Sequence, residues 1–181
     1  MINDKIVQAA LLDEGKEEFK GNHGWKDKGF DAQMKATGWQ DGQAWCAYWA
    51  EKVWCQCYDP DTVNVLKRLF SANAVATFNN FWDSNFVTSD DPVEGAVVIW
   101  QKMTNGEPSF VGHTQWIRGH AGLVISTEGD VNKFMTLEGN SNSEGGREGI
   151  EVARQVRGCT HEDRNKTNGL RLLGFIHPKE R

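Results

Sequence analysis

The run Gln43-Ala44-Trp45-Cys46-Ala47-Tyr48-Trp49-Ala50-Glu51-Lys52-Val53-Trp54-Cys55-Gln56-Cys57 decides how this chain is organised. It contains no proline or glycine and is apolar on nearly every side. A helix that is apolar nearly all round belongs in a core, so residues 43–57 read as the buried central helix of the protein. Gly42 precedes it and Asp59-Pro60-Asp61 ends it. On this reading Cys46 lies in the first helical turn, where the helix dipole favours a thiolate.

The segments around that helix fall into two groups. Upstream, Ile6, Val7, Ala10 and Leu11 make a helical stripe over residues 4–13, with Asn3 or Asp4 as N-cap. Residues 15–42 are rich in Gly, Lys and Asp and read as a long surface loop with one turn of helix. After the central helix, Val63, Leu66, Leu69 and Phe70 keep helical spacing, and a short helix follows over 72–81. Then the period changes. Residues 96–100, 121–125, 134–137, 150–156 and 170–176 read as short strands divided by Gly, Asn, Asp and Pro clusters. Helices first and closely spaced strands second predict an α+β fold, with N-terminal helices packed on a C-terminal antiparallel sheet. Residues 140–149 read as a polar, glycine-rich loop without a phosphate-binding pattern.

Length and composition limit the possibilities. A chain of 181 residues suits one domain, 1–181, and buries roughly 70% of its unfolded surface without disulfide staples. Apolar residues at 39% and charged residues at 25% describe a globular chain. The formal charge of −5 argues against a nucleic-acid partner, which calls for basic patches. No run of about 18 apolar residues is present, so no membrane span is expected. The start, Met1-Ile2-Asn3-Asp4-Lys5, lacks the basic and apolar regions of a signal peptide. The expectation is therefore synthesis in the cytoplasm, with release or delivery by other means if the protein acts outside.

The chemistry-bearing residues come in a fixed order: Cys46, then Gly119-His120-Ala121-Gly122-Leu123-Val124, then Leu137-Glu138-Gly139-Asn140. A cysteine nucleophile needs a base to ionise it, and the base needs an orienting partner. His120 starts a strand, and Glu138 ends one. If the two strands pair, the carboxylate can accept from the imidazole and set its tautomer. His113, in Gly112-His113-Thr114, is the competing base, though no regular strand follows it. His23, His161 and His177 read as surface or turn residues. Cys55 and Cys57 read as core residues of the central helix. Together with Cys159 and His161 they are a rival set of zinc ligands, but two one-residue spacings are unusual for a structural site, and no metal or other cofactor is expected.

These segments resemble the CHAP-type branch of the papain-like, NlpC-related peptidoglycan hydrolases, especially its compact phage and prophage members. The resemblance runs nearly end to end. Residues 17–24 resemble the family's Glu-x-x-Gly-Asn-x-Gly opening, and Ala44-Trp45-Cys46-Ala47 resembles its Trp-Cys-Ala nucleophile helix. Ser71-Ala72-Asn73-Ala74 resembles a recurrent Ser-Ala segment, and residues 92–100 resemble the Pro-x-x-Gly-Asp start of a strand. Gly119-His120-Ala121-Gly122-Leu123-Val124 resembles the base strand, Glu138-Gly139-Asn140-Ser141-Asn142 the Glu-Gly-Asn segment, and Leu173-Gly174-Phe175-Ile176-His177-Pro178 the closing strand. Two departures stand out: Ala96 takes the place of the usual Asp after Gly95, and residues 102–118 are longer than usual, as a lid or extra cleft wall would be. Only Asp41 lies near the cysteine, so the calcium loop of some members is not expected.

The resemblance implies a papain-like fold and a murein amidase or endopeptidase acting through a thioester. Cys46 is then the nucleophile, His120 the general base, Glu138 the orienting group and Asn140 an auxiliary polar group near the imidazole. Gln40 or Gln43 is the side-chain donor at the oxyanion. Trp25, Trp39 and Trp116 are either packing residues or platforms for sugar or peptide. The expected partner is peptidoglycan, with no nucleic acid and no membrane, and the protein is expected to be a monomer. Two other readings stay open: an inactive virion or cell-wall binding module of the same fold, and a secreted antibacterial effector with an immunity protein.

Overall fold

The computed structural model describes residues 1–141 and 149–180. Most of the expected loop 140–149 lies outside the described residues. Asn140 and Ser141 themselves close a strand.

The first helix, α1 (Ile2–Leu11), buries Ile2, Ile6 and Ala10. The stretch 15–42 contains more structure than its composition suggests. It includes α2 (Lys28–Lys35), opened by Asp27, whose side chain accepts from the N–H groups of Gly29 and Phe30. Only two large apolar residues, Phe30 and Met34, mark its buried face, so the helical signal is short and diluted by charge.

The central helix is α3 (Cys46–Cys57), and its first nine residues, Cys46 to Trp54, are all buried. It starts later than its apolar pattern predicts. Gln43 belongs to the preceding turn: its backbone carbonyl accepts from Trp39 Nε1 at 2.8 Å, and its side-chain oxygen from the N–H of Gln40 at 3.0 Å. Cys46 is therefore the first helical residue, behind Trp45 as N-cap. Burial of Lys52 inside this helix is offset by Asp13, whose Oδ2 accepts from Lys52 Nζ at 2.6 Å and from Trp49 Nε1 at 2.9 Å. That pair ties the end of α1 to α3.

Two further helices complete this layer. Asp59 caps α4 (Pro60–Leu69), with Pro60 at its first position, and Asn73 caps α5 (Ala74–Trp82).

The strands are β1 (Thr88–Ser89), β2 (Val97–Thr104), β3 (Glu107–Pro108), β4 (Gly119–Ser126), β5 (Lys133–Ser141), β6 (Glu151–Gly158) and β7 (Gly169–Ile176), with the short α6 (His161–Arg164) before the last. They form a sheet in the order β1-β7-β2-β4-β5-β6, with β3 beside β2, and every pairing is antiparallel. The α+β expectation is met in this sense: helices, then an antiparallel sheet.

Alternation divides the sheet into two faces. Val97, Ile99, Ala121, Leu123 and Leu137 pack with Ile6, Ala10, Trp49 and Val53 of the helices. Val98, Trp100, Val124 and Phe134 form a second cluster with Leu172 and Phe175. His120 sits opposite Trp100 in the β2–β4 register and stacks on it, with ring centroids 5.7 Å apart. Its ring thus belongs to the second face. Among the described residues no helix is long and apolar enough to cross a membrane.

Candidate active site

Chain direction brings three element ends together. In the antiparallel sheet the start of β4 lies beside the end of β2 and the end of β5. α3 packs on β4 and β5 with its first turn towards this end. Gly139 makes the approach possible: a Cβ there would stand 2.6 Å from the Trp45 ring and 3.0 Å from Trp49 Cβ. The helix start thus lies directly on the backbone of the strand that carries Glu138.

His120 is wholly buried, and its Nε2 is 2.8 Å from Glu138 Oε2. With Glu138 ionised, this nitrogen carries the hydrogen and donates it. Continuing the β4–β5 register from Leu123 opposite Leu137 places Gly122 opposite Glu138. Glu138 therefore has to cross Gly122 to reach the imidazole. A Cβ on Gly122 would stand 2.8 Å from Glu138 Cγ, so the absence of a side chain there opens the path.

The carboxylate of Glu138 is fully buried and fully engaged. Oε1 accepts from Thr136 Oγ1 at 2.7 Å and from Arg157 Nε at 2.7 Å; Oε2 accepts from Arg157 Nη2 at 2.5 Å. Burial opposes its ionisation, but the bonds from Arg157 and His120 and their positive charges outweigh it, and Glu138 is held down at about 2. Arg157 also lies over the Trp100 ring, 5.2 Å from its centroid. Trp100 thus has His120 stacked on it and the guanidinium that neutralises Glu138 against it.

Nδ1 of His120 is buried and makes no hydrogen bond of standard geometry. Cys46 is the neighbouring side chain that most raises the ring. Burial alone would lower His120, but the Cys46 charge and contact, with Glu138 behind, raise it to about 9. Burial alone would likewise raise Cys46; the His120 charge, its contact, and the N–H groups of Ala121 and Ala47 bring it below the ordinary thiol value. The favoured state is a thiolate–imidazolium pair. The start of α3 supports it. Asp27, Asp59 and Asn73 cap α2, α4 and α5, whereas α3 begins with no side-chain cap, which leaves its first N–H groups to other acceptors.

The remaining site residues separate on inspection. His113 is exposed in the β2–β4 connection, while His120 is buried beside the thiol. Asn140 lies two residues beyond Glu138 at the end of β5, and its Oδ1 is 3.1 Å from the Asn22 amide nitrogen when that amide is turned towards it. Gln43 is committed to the turn, since its Oε1 accepts from both Gln40 N–H and Tyr48 Oη, each at 3.0 Å. Gln40 is exposed upstream of Cys46. Trp25 and Trp39 are core residues, packed together with ring centroids 4.7 Å apart. Trp116 is 58% exposed, in the connection that rises from the site end of the sheet.

Sequence reasoning missed Arg157, and no local signal marks it: it is one charged residue in an ordinary strand, found only through its register on β5. Cys55 and Cys57 lie at the far end of α3 and Cys159 beyond β6, its sulfur 3.6 Å from the Val131 carbonyl. No three His, Cys, Asp or Glu side chains converge as metal ligands among the described residues. Comparison with known proteins gives no match: no family model, no curated protein and no solved structure matches the chain.

Proposed function

We propose that the protein is a cysteine hydrolase of peptidoglycan amide bonds, an amidase or endopeptidase of papain-like fold. One observation carries the hydrolase reading: the buried Cys46 at a helix start without a side-chain cap, beside His120, whose imidazole is held from behind by a carboxylate that is itself neutralised by Arg157. Chemistry of this kind is used to attack carbonyls. The substrate class rests on the resemblance of the Trp-Cys-Ala, Gly-His-x-Gly and Glu-Gly-Asn segments to CHAP-type hydrolases.

The Cys46 thiolate attacks the carbonyl carbon of the scissile amide. The negative charge that develops on oxygen is met by N–H groups of the first turn of α3, and Gln40 is the side chain proposed as a second donor. One such preorganised donor contributes about 3 kcal/mol to the transition state. The imidazolium gives its Nδ1 proton to the leaving amine, and a thioester forms. Neutral His120 then removes a proton from water, hydroxide attacks the thioester, and Cys46 leaves as thiolate while the imidazolium is restored. Glu138 keeps its charge throughout and holds the Nε2–H tautomer. The β2–β4 connection bears Phe110, Val111 and Trp116 on its surface, and we propose it as a wall of the substrate cleft. Action on the cell wall follows release or delivery from the cell.

The deciding experiment is digestion of purified sacculi, with released muropeptides identified by mass spectrometry. Wild-type protein releases fragments with a new amine terminus, and Cys46→Ala releases none. Equal digestion by both proteins would remove the cysteine from the mechanism. If neither digests, the reading as an inactive binding module gains.

A further inference from the structure

A second buried carboxyl lies on the other side of the nucleophile, and the mechanism above does not use it. Glu18, in the segment between α1 and α2, is only 5% exposed. Its backbone N–H donates to the Ile150 carbonyl at 2.7 Å, which anchors the residue at the start of β6. With the Asn22 amide nitrogen turned towards it, that nitrogen is 3.2 Å from both Glu18 carboxyl oxygens and 3.1 Å from Asn140 Oδ1. The Asn22 carbonyl in turn accepts from the N–H of Gly42, in the turn that leads into α3.

Two features mark this cluster as imposed by its surroundings. Asn22 and Asn140 both occupy the left-handed region, with φ of 60° and 54°, although neither is glycine. Such conformations persist where neighbouring structure demands them, and they gather at functional sites. The indole N–H of Trp45 is also buried without a partner at standard hydrogen-bond geometry, and the Glu18 carboxyl is the acceptor that acts on it. Trp45 is the N-cap of α3, directly before Cys46. Asn140 follows Glu138 by two residues on β5, across the bulge between Glu138 and Ser141.

We infer that Glu18 is a positioning residue for the catalytic pair: with Asn22 it clamps Trp45 on one side and Asn140 on the other, setting Cys46 and Glu138 at their working separation. This rests on the hydrolase reading of the site and adds to it. The groups that favour its ionised form are the Trp45 indole, the Asn22 backbone N–H and the nearby His23, with the Asn22 amide beside both oxygens. His23 Nδ1 is itself held 2.9 Å from Asp41 Oδ2. Burial nevertheless pushes Glu18 up to about 7, and a carboxyl kept against that opposition is characteristic of functional sites. The clamp acts through backbone and ring positions, and Glu18 need not touch substrate.

The test is alkylation of Cys46 by iodoacetamide across pH, followed by mass spectrometry of the Cys46 peptide so that the other thiols do not interfere. Two variants cut different arms. Glu18→Gln turns an acceptor into a group that presents its own N–H donors to Asn22. Asn140→Gly removes the amide while keeping a residue at ease at positive φ. Both are expected to raise the midpoint of Cys46 reactivity by about one pH unit and to lower turnover on sacculi about tenfold, the range seen when outer-shell partners are lost. If Glu18→Gln fails to fold, Asn140→Gly decides alone. A low wild-type midpoint that survives unchanged in the folded variants overturns the clamp and leaves the hydrolase reading intact. An ordinary thiol midpoint in the wild type overturns both.

Discussion

Arg157 grips Glu138 with two nitrogens, Nε on one carboxylate oxygen and Nη2 on the other, at 2.7 and 2.5 Å. Such a fork fixes the plane of the carboxylate as well as its charge, which a lysine ammonium cannot do. Glu138 is wholly buried, so losing its counterion leaves a negative charge stranded in the core. Arg157→Ala is expected to cost about 3 kcal/mol of stability, as breakage of a buried pair does. Arg157→Lys keeps the charge and loses the fork. It is expected to retain most of the stability while turnover falls about tenfold. Urea unfolding and sacculus digestion read the two effects separately, and an Arg157→Lys enzyme with full turnover would show that charge alone suffices.

Gly122 controls the path by which Glu138 reaches His120. Its substitution by alanine places a methyl group 2.8 Å from Glu138 Cγ in the unrelaxed structure, so the carboxylate must swing aside. The expected cost in stability is about 1–3 kcal/mol, typical of overpacking. Turnover is expected to fall further than that loss explains, because the displaced group orients the base. Alanine at Gly139 meets the Trp45 ring instead and should disturb α3 docking more than His120. A crystal structure of Gly122→Ala with the 2.8 Å His120–Glu138 contact preserved would refute the first expectation.

The pH dependence of stability follows from the signs of the shifts. Glu138 is depressed to about 2, so its contribution is fully present above the unfolded carboxylate value of about 4.3 and is lost as pH falls towards 2. His120 is raised to about 9, so its contribution is fully present below the unfolded value of about 6.5 and is lost as pH rises through 9. These two groups together give their full contribution between about pH 4.3 and 6.5. The Cys46 charge is the largest influence raising His120. In Cys46→Ala the alkaline loss is therefore expected to begin at lower pH, as chemical denaturation at a series of pH values would register. An unchanged alkaline limb would mean that the thiolate does not stabilise the imidazolium.

Glu138→Gln keeps the shape and removes the charge. His120 loses the anion behind its ring, so the thiolate–imidazolium pair is weakened and Cys46 moves back towards an ordinary thiol. Turnover is expected to fall about 10- to 100-fold at neutral pH, and the optimum is expected to shift to higher pH. Undiminished turnover at pH 6 would remove Glu138 from the mechanism.

The tryptophans divide cleanly into two classes. Trp25 is buried against Phe30, Trp39 and Trp45, and Trp25→Ala is expected to cost about 3–5 kcal/mol. Trp116 is exposed, and Trp116→Ala is expected to stay within about 0.5 kcal/mol of wild type. If the β2–β4 connection lines the cleft, the Trp116 variant raises KM for sacculi with little change in kcat, which a titration of substrate against rate measures.

Local pattern was enough to determine the helices with a strong apolar stripe, the five main strands, the α+β order, and the Cys46–His120–Glu138 series. Each of these rests on neighbours in sequence, or on the chemistry a thiol needs around it. It was not enough for α2, where only Phe30 and Met34 mark the buried face, nor for the start of α3, where Gln43 is drawn into a turn by Trp39, Gln40 and Tyr48. Only the tertiary structure decided that Arg157 neutralises Glu138, that Gly122 is bare so that Glu138 can cross it, and that Asn22 lies between Glu18 and Asn140. The physical reason is register. Alternation along a strand tells which face a side chain takes, but its partners depend on how strands far apart in the chain slide past one another, and the energies that set that alignment are spread over the whole sheet.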